Sequence, residues 1–176
     1  MKVGIGLSGK AGSGKSTVAK EILRLLPKEY SAVRLSFAEK LKAICDEIFP
    51  HLLVGDKEDH RWVYKDTGLA MRSVDMDCWV KYVLRQINKW DIVLVDDVRF
   101  QNEAELLRAN GFIIVRVERD KHLREQMGYD TRDTHISEVA LDDYNFDYWF
   151  RNNGEYPFTS VAEVLVRRIM LELSKA

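Results

Sequence analysis

The chain has 176 residues, 46% of them hydrophobic and 31% charged, with a formal net charge of -1 from 27 basic and 28 acidic side chains. Those values describe one globular domain, residues 1–176, long enough to bury a core. They exclude the basic footprint of a protein held to nucleic acid by phosphate contacts, and no apolar run reaches membrane-spanning length.

Strand-like and helix-like segments alternate from the start. Residues 2–7 read as a buried strand followed by a glycine-rich turn, and residues 16–26 place Val18, Ile22, Leu25 and Leu26 on one helical stripe ending at Pro27. A strand over 31–35 and a helix over 38–49, closed by Pro50, come next. Residues 51–75 mix charge with Trp62 and Tyr64 without a clean period and read as short helices and loops. A helix over 76–88 turns Trp79, Val80, Val83, Leu84 and Ile87 inward. The apolar run 92–95 is typical of a central parallel strand covered on both faces. A helix over 101–109 stops at Asn110-Gly111, a strand runs over 112–117, and 119–133 is a charged loop or short helical excursion. A last strand spans 146–150. The closing helix shows a capping-box signature in Ser160 and Glu163, with Ala162, Leu165, Val166, Ile169 and Leu173 inward. Strands separated by helices imply a three-layer α/β/α domain with a mostly parallel sheet. Cys45 and Cys78 make no disulfide framework and are expected to be reduced. A strand so close to the first residue leaves no room for a cleavable leader, so the cytoplasm is the expected location.

Gly9-Lys10-Ala11-Gly12-Ser13-Gly14-Lys15-Ser16 matches the P-loop pattern G-x-x-x-x-G-K-S/T in full, between a strand and a helix. Glycines let successive backbone amides wrap a triphosphate as an anion nest. The helix that begins there adds unpaired amides and the positive end of its dipole. Gly9, Ala11, Gly12, Ser13, Gly14, Lys15, Ser16 and Thr17 are therefore the expected ATP contacts. Lys15 is suited to bridge the β- and γ-phosphates, and the Ser16 hydroxyl to ligate magnesium. The loop implies a nucleoside triphosphate without saying whether water or a second substrate receives the phosphoryl group.

The stretch Asp91-Ile92-Val93-Leu94-Val95-Asp96-Asp97-Val98-Arg99 is an apolar strand ending in two acids and an arginine, and ligands of open α/β sheets sit outside strand carboxyl ends. Asp97 is expected to act in catalysis and to hold magnesium through water, with Asp96 the other acid able to serve the metal. Arg99 suits a bidentate grip on a phosphate. Ordinary turn or helix-cap acids are the alternative. Further on, Arg116, Arg119, Lys121, Arg124 and Arg132 interleave with acids. That composition fits a lid over 119–135 that excludes water from the γ-phosphate, or a solvated loop whose charges compensate one another. His135, with Glu138 nearby, reads either as an acid–base group or as part of a helix-end hydrogen-bonding pair. The four histidines and two cysteines show no zinc-ligand spacing.

Taken together, these blocks resemble bacteriophage-type deoxynucleoside monophosphate kinases over almost the full chain. The matching residues are Ser8-Gly9-Lys10-Ala11 with the P-loop, Ser36-Phe37-Ala38 with Leu41-Lys42, and Asp75 with Trp79-Val80-Lys81. They continue with Asp97-Val98-Arg99-Phe100 and Asn102-Glu103, Asp133-Thr134-His135-Ile136-Ser137-Glu138, and Asn152-Asn153-Gly154. The resemblance implies transfer of the γ-phosphoryl of ATP to a deoxynucleoside 5'-monophosphate, with magnesium, on a P-loop kinase fold. It implies an acceptor-binding region over 37–88, with Lys10, Phe37, Ala38, Arg72, Trp79 and Arg99 at the acceptor. It implies a lid that includes Arg119, Arg124, Arg132, His135 and Glu138. The partners implied are ATP and a nucleoside monophosphate; a homodimer is left open, and a phage-encoded protein would work in the host cytoplasm. Many relatives have a basic residue where this chain has Gly12, and an aspartate where it has Ser16, so this loop is closer to the general P-loop form.

Three alternatives remain at this stage. One is a P-loop kinase for another small phosphorylated acceptor, of the phosphomevalonate or dephospho-coenzyme A type. Another is a P-loop ATPase or GTPase switch; Asn88-Lys89-Trp90-Asp91 has the residue types of a guanine signature but precedes a strand. An ATP-dependent nucleic-acid motor is disfavoured by size and charge balance.

Overall fold

The computed structural model describes residues 1–56, 59–132, 135–154 and 158–175. Five strands, β1 (Val3–Ser8), β2 (Ala32–Leu35), β3 (Ile92–Val98), β4 (Phe112–Glu118) and β5 (Tyr148–Arg151), form one sheet in the order β2-β3-β1-β4-β5. All four pairings are parallel. The three central strands are apolar runs covered on both faces, as an all-parallel sheet requires.

Alternation along the strands sorts the core into two layers. Ile92 and Leu94 pack with Val18, Ala19 and Ile22 of α1 (Lys15–Leu25) and with Ala162, Leu165 and Ile169 of α8 (Phe158–Leu173). Val93 and Val95 face α2 (Phe37–Ile48), α4 (Cys78–Leu84) and α5 (Gln101–Ala109), through Phe37, Trp79, Val80, Val83 and Leu107. Three further helices, α3 (Arg61–Val74), α6 (Lys121–Gln126) and α7 (Ile136–Val139), lie in the connections. After β1 the chain builds β2 and β3 on one side, then crosses to β4 and β5 on the other. Connections diverge from β1, and a crevice opens at its carboxyl end. No helix among the described residues is long and apolar enough to cross a membrane. Cys45 and Cys78 are free thiols.

Four elements differ from the sequence reading. Residues 61–74 form a single 14-residue helix instead of short helices and loops. Only Val63 and Gly68 are buried along it, because its inner face is lined by Arg61, Tyr64, Lys65 and Arg72 over a cavity. A polar inner face erases the apolar period by which helices are read. The expected helix over 76–88 ends at Leu84 and resumes only as a 3₁₀ turn, Ile87–Lys89. Strand β3 runs on through Asp96, Asp97 and Val98, since the ladder needs backbone groups and both acids find partners. The closing helix begins at Phe158, so Ser160 lies inside it and is not its N-cap.

Candidate active site

The loop between β1 and α1 occupies the carboxyl end of the central strand. Gly9 and Gly12 take φ values of +148° and +78°, open to glycine at little cost. Each is also sterically locked. A Cβ on Gly9 would stand 2.1 Å from the Val117 carbonyl oxygen, and one on Gly12 2.5 Å from the Tyr129 ring. Lys15 bends back over the loop, its Nζ donating to the carbonyls of Gly9 at 2.5 Å and Lys10 at 3.0 Å. Burial of the ammonium, with the Arg99 charge close by, lowers its pKa from 10.5 to about 8. Ser16 and Thr17 are exposed at the start of α1.

Asn152 secures the loop from behind. Its Nδ2 donates to the Ser13 carbonyl at 2.7 Å, its backbone N–H to Glu118 at 2.7 Å, and its own carbonyl accepts from Arg119 Nε at 2.8 Å. Arg119 Nη1 also reaches the Gly12 carbonyl at 3.2 Å. In the sequence Asn152 carries no expected role beyond the Asn152-Asn153-Gly154 match; an amide residue just past a strand end is the signal for this one.

The two acids of β3 point to opposite faces. Asp96, on the α1 face, accepts from Arg34 Nη1 at 2.9 Å, and its charge is felt by Lys15. Asp97, on the α2 face, accepts from Phe37 N at 3.0 Å with one oxygen. Its other oxygen accepts from Ala38 N at 2.7 Å and Ser36 Oγ at 2.8 Å. Both Asp97 oxygens are therefore engaged in capping α2 from the neighbouring strand. Burial raises the Asp97 pKa, opposed by the donated Ala38 and Phe37 amides and the Ser36 hydroxyl and reinforced by the Asp96 charge. This geometry is that of a helix cap, and Asp97 also lines the cavity beside the P-loop; Asp96 is the acid that shares a face with the P-loop helix.

A cavity of about 480 Å³ opens beside the P-loop, and Lys10, Phe37, Ala38, Arg72, Trp79 and Arg99 all line it. Arg61, Tyr64 and Lys65, which fall inside the expected acceptor-binding region without being singled out there, line it too, as do Phe100 and Tyr129 outside that region. Trp79 is buried, its indole N–H donating to the Gly68 carbonyl at 3.5 Å. Lys10 pairs with Asp142 at 2.8 Å, and the other Asp142 oxygen accepts from buried Arg116 at 2.9 Å. Arg99 Nη1 donates to Glu138 Oε1, while Glu138 Oε2 accepts from the Ala11 amide at 3.1 Å. Burial pushes the Glu138 carboxyl up, but Arg99, the Ala11 amide and Lys15 outweigh it and hold the pKa below the ordinary range.

The charged stretch from Arg119 onward lies against the loop. Arg124 is buried, with Nε donating to the Arg119 carbonyl at 3.1 Å. Arg132 is 87% exposed, paired with Asp130 at 3.2 Å, and does not line the cavity. His135 caps α7: its Nδ1 accepts from the Ser137 N–H at 3.2 Å and lies 2.8 Å from Ser137 Oγ. His135 is thus a helix-end group, its side chain on Ser137 and its carbonyl accepting from the Glu138 N–H at 2.8 Å. Asp133 and Thr134 of the same block lie outside the described residues. Among the described residues no group of three or more His, Cys, Asp or Glu is arranged to hold a metal ion.

The AAA domain family model matches residues 5–139. A protein of Acanthamoeba polyphaga mimivirus, provisionally named a deoxynucleotide monophosphate kinase, is 29% identical over 168 residues. The match covers 78% of this chain and 81% of the relative, in keeping with the resemblance read from the sequence. Among solved structures, the Mycobacterium tuberculosis APS kinase in complex with AMPPNP and APS superposes with a TM-score of 0.57 at 16% identity, covering 95% of this chain and 96% of the other. Shikimate kinase from Acinetobacter baumannii in complex with shikimate gives 0.56 at 16% identity, covering 95% and 92%. With its parallel sheet, P-loop and adjoining basic cavity, the chain belongs to the AAA domain family and has the P-loop kinase fold.

Proposed function

We propose that this protein transfers the γ-phosphoryl of ATP to a deoxynucleoside 5'-monophosphate, giving ADP and the deoxynucleoside diphosphate. One observation carries the reading: the P-loop that holds Lys15 also borders, through Lys10 and Ala11, a cavity that presents Lys10, Arg72 and Arg99. A basic cavity adjoining a P-loop suits transfer between two phosphates better than hydrolysis. The mimivirus relative's name supports the same acceptor class.

In this reading residues 9–17 bind the triphosphate, and Lys15 leaves the Gly9 and Lys10 carbonyls for the phosphoryl oxygens. Arg99 holds the acceptor phosphate so that one of its oxygens faces the γ-phosphorus. A bond forms from that oxygen as the bond to the bridging oxygen of ADP breaks. Lys15 and the arginines stabilise charge on the moving group. Asp97, with both oxygens engaged at the start of α2, is suited to serve magnesium only through water, whereas Ser16 and Asp96 on the P-loop side of the sheet are hard oxygen ligands that fit the ion directly. When bound with the nucleotide it would be held by those two residues and would neutralise charge on the β- and γ-phosphates. Residues 119–135 act as a lid and 37–88 as the acceptor-binding region of a single domain.

The test is an acceptor panel with ATP and magnesium: the four common deoxynucleoside monophosphates, with phosphomevalonate and dephospho-coenzyme A as rivals. Diphosphate from at least one deoxynucleotide is expected. Turnover of a rival alone would replace the acceptor, and free phosphate without any acceptor product would remove the kinase reading.

A further inference from the structure

Glutamate three places into a helix ordinarily bonds the N–H of the helix-capping residue from a solvated position. Glu103 does this in α5, where its Oε2 accepts from Phe100 N at 3.0 Å and Arg99 N at 2.9 Å. Yet Glu103 is only 1% exposed. Burying a carboxylate is costly, and a cap needs just one of its oxygens. The second oxygen accepts from Arg72 Nη2 at 2.7 Å, reaching a helix 31 residues earlier in the chain. Arg72 is held at two further points, while its buried Nε has no hydrogen-bond partner among the described residues. Its Nη1 donates to the Gly68 carbonyl at 3.2 Å, and its guanidinium lies 4.2 Å from the centre of the Phe100 ring. One side chain therefore fixes the backbone of Arg99 and the guanidinium of Arg72, and both arginines line the same cavity.

We infer that Glu103 is a positioning residue of the acceptor site, setting Arg72 and the Arg99 backbone in fixed relation before the acceptor's phosphate arrives. This rests on the reading of that cavity as the place of a phosphate monoester. A guanidinium fork already held in place loses less conformational freedom when the phosphate binds. The buried carboxylate, unlike the bare cap, is explained by that task.

Glu103→Gln is the variant that separates the two roles. Its amide oxygen can still accept both backbone N–H groups, but its NH₂ cannot accept from Arg72. The Michaelis constant for the acceptor should rise roughly ten- to hundred-fold, the range of a lost charge-assisted hydrogen bond, and that for ATP by less than about two-fold. In an Arg72→Ala background the same change should add little, because Glu103 acts through Arg72. Equal rises in both constants, or full additivity with Arg72→Ala, would overturn the inference. Wild-type protein offers a check independent of mutant folding. The Arg72 guanidinium N–H signals should be resolved and slow to exchange in the free protein; signals that appear only when a monophosphate is added would refute preorganisation. If the acceptor panel finds no monophosphate substrate, the reading of the cavity fails, while the free-protein spectrum still decides whether Arg72 is clamped.

Discussion

Lys15 carries the charge that the proposed reaction needs, and its surroundings when free make that charge expensive. Its ammonium gives up a proton near pH 8 in the folded chain, against 10.5 ordinarily, chiefly through burial. The unfolded chain therefore holds more protons than the folded one between those two values. Lys15's contribution to stability accordingly rises with pH through that window. A bound triphosphate would restore the proton by offering Lys15 anionic oxygens in exchange for the two carbonyls it now meets. Nucleotide binding should take up close to one proton at pH 9 and almost none at pH 6.5, read by calorimetry in buffers of different ionisation enthalpy. Equal uptake at both would contradict the lowered pKa. Lys15→Ala should keep the fold and reduce turnover by roughly 10³-fold, with activity beside a circular dichroism melt as the check. Arg99→Ala should weaken the acceptor by about 30- to 100-fold with little effect on ATP. An effect confined to ATP would move Arg99 to the other nucleotide.

At the scale of elements, the α2 start and the 119–131 stretch each depend on a partner far away in sequence. Asp97 holds α2 through the Phe37 and Ala38 amides and the Ser36 hydroxyl, in a buried setting. Asp97→Ala should cost about 3 kcal/mol of unfolding free energy in a urea titration, and Asp97→Asn less, since it keeps one acceptor. A loss below about 0.5 kcal/mol, typical of a neutral surface change, would mean the cap is not structural. For the proposed lid, amide hydrogen exchange over 119–131 should slow when a bisubstrate mimic fills both nucleotide positions; identical protection in the saturated complex would leave its arginines as surface charge. Most elements were legible because they bury one apolar stripe or run. The exceptions share a cause. Helix α3 turns charged residues toward the cavity, and β3 continues through two acids, so neither carries the apolar pattern that reveals structure.

Across the whole molecule, the strand order and the P-loop gather side chains from every part of the chain onto one edge of the sheet. The loop itself was readable from eight consecutive residues, and so was the arginine that follows the acids. Which acid faces which layer was not, because strand length and register decide it. Nor were the distant contacts: Asn152 behind Ser13, Tyr129 on Gly12, and Glu138 on Ala11 lie more than a hundred residues apart in sequence. The last of these has a consequence for how ligands enter. The amide and guanidinium that would draw in any small anion already face a carboxylate of the same chain. Nucleotide entry is then an exchange of one anion for another, and not the filling of an electropositive hole. Since one negative group withdraws as another arrives, acceptor affinity should fall less steeply with ionic strength than its arginines alone imply. Glu138→Gln removes the resident anion: inorganic phosphate should then bind roughly ten-fold more tightly, with a steeper salt dependence, in calorimetry across a salt series. Unchanged phosphate binding would mean that the carboxylate and the incoming phosphate do not contend for the same donors.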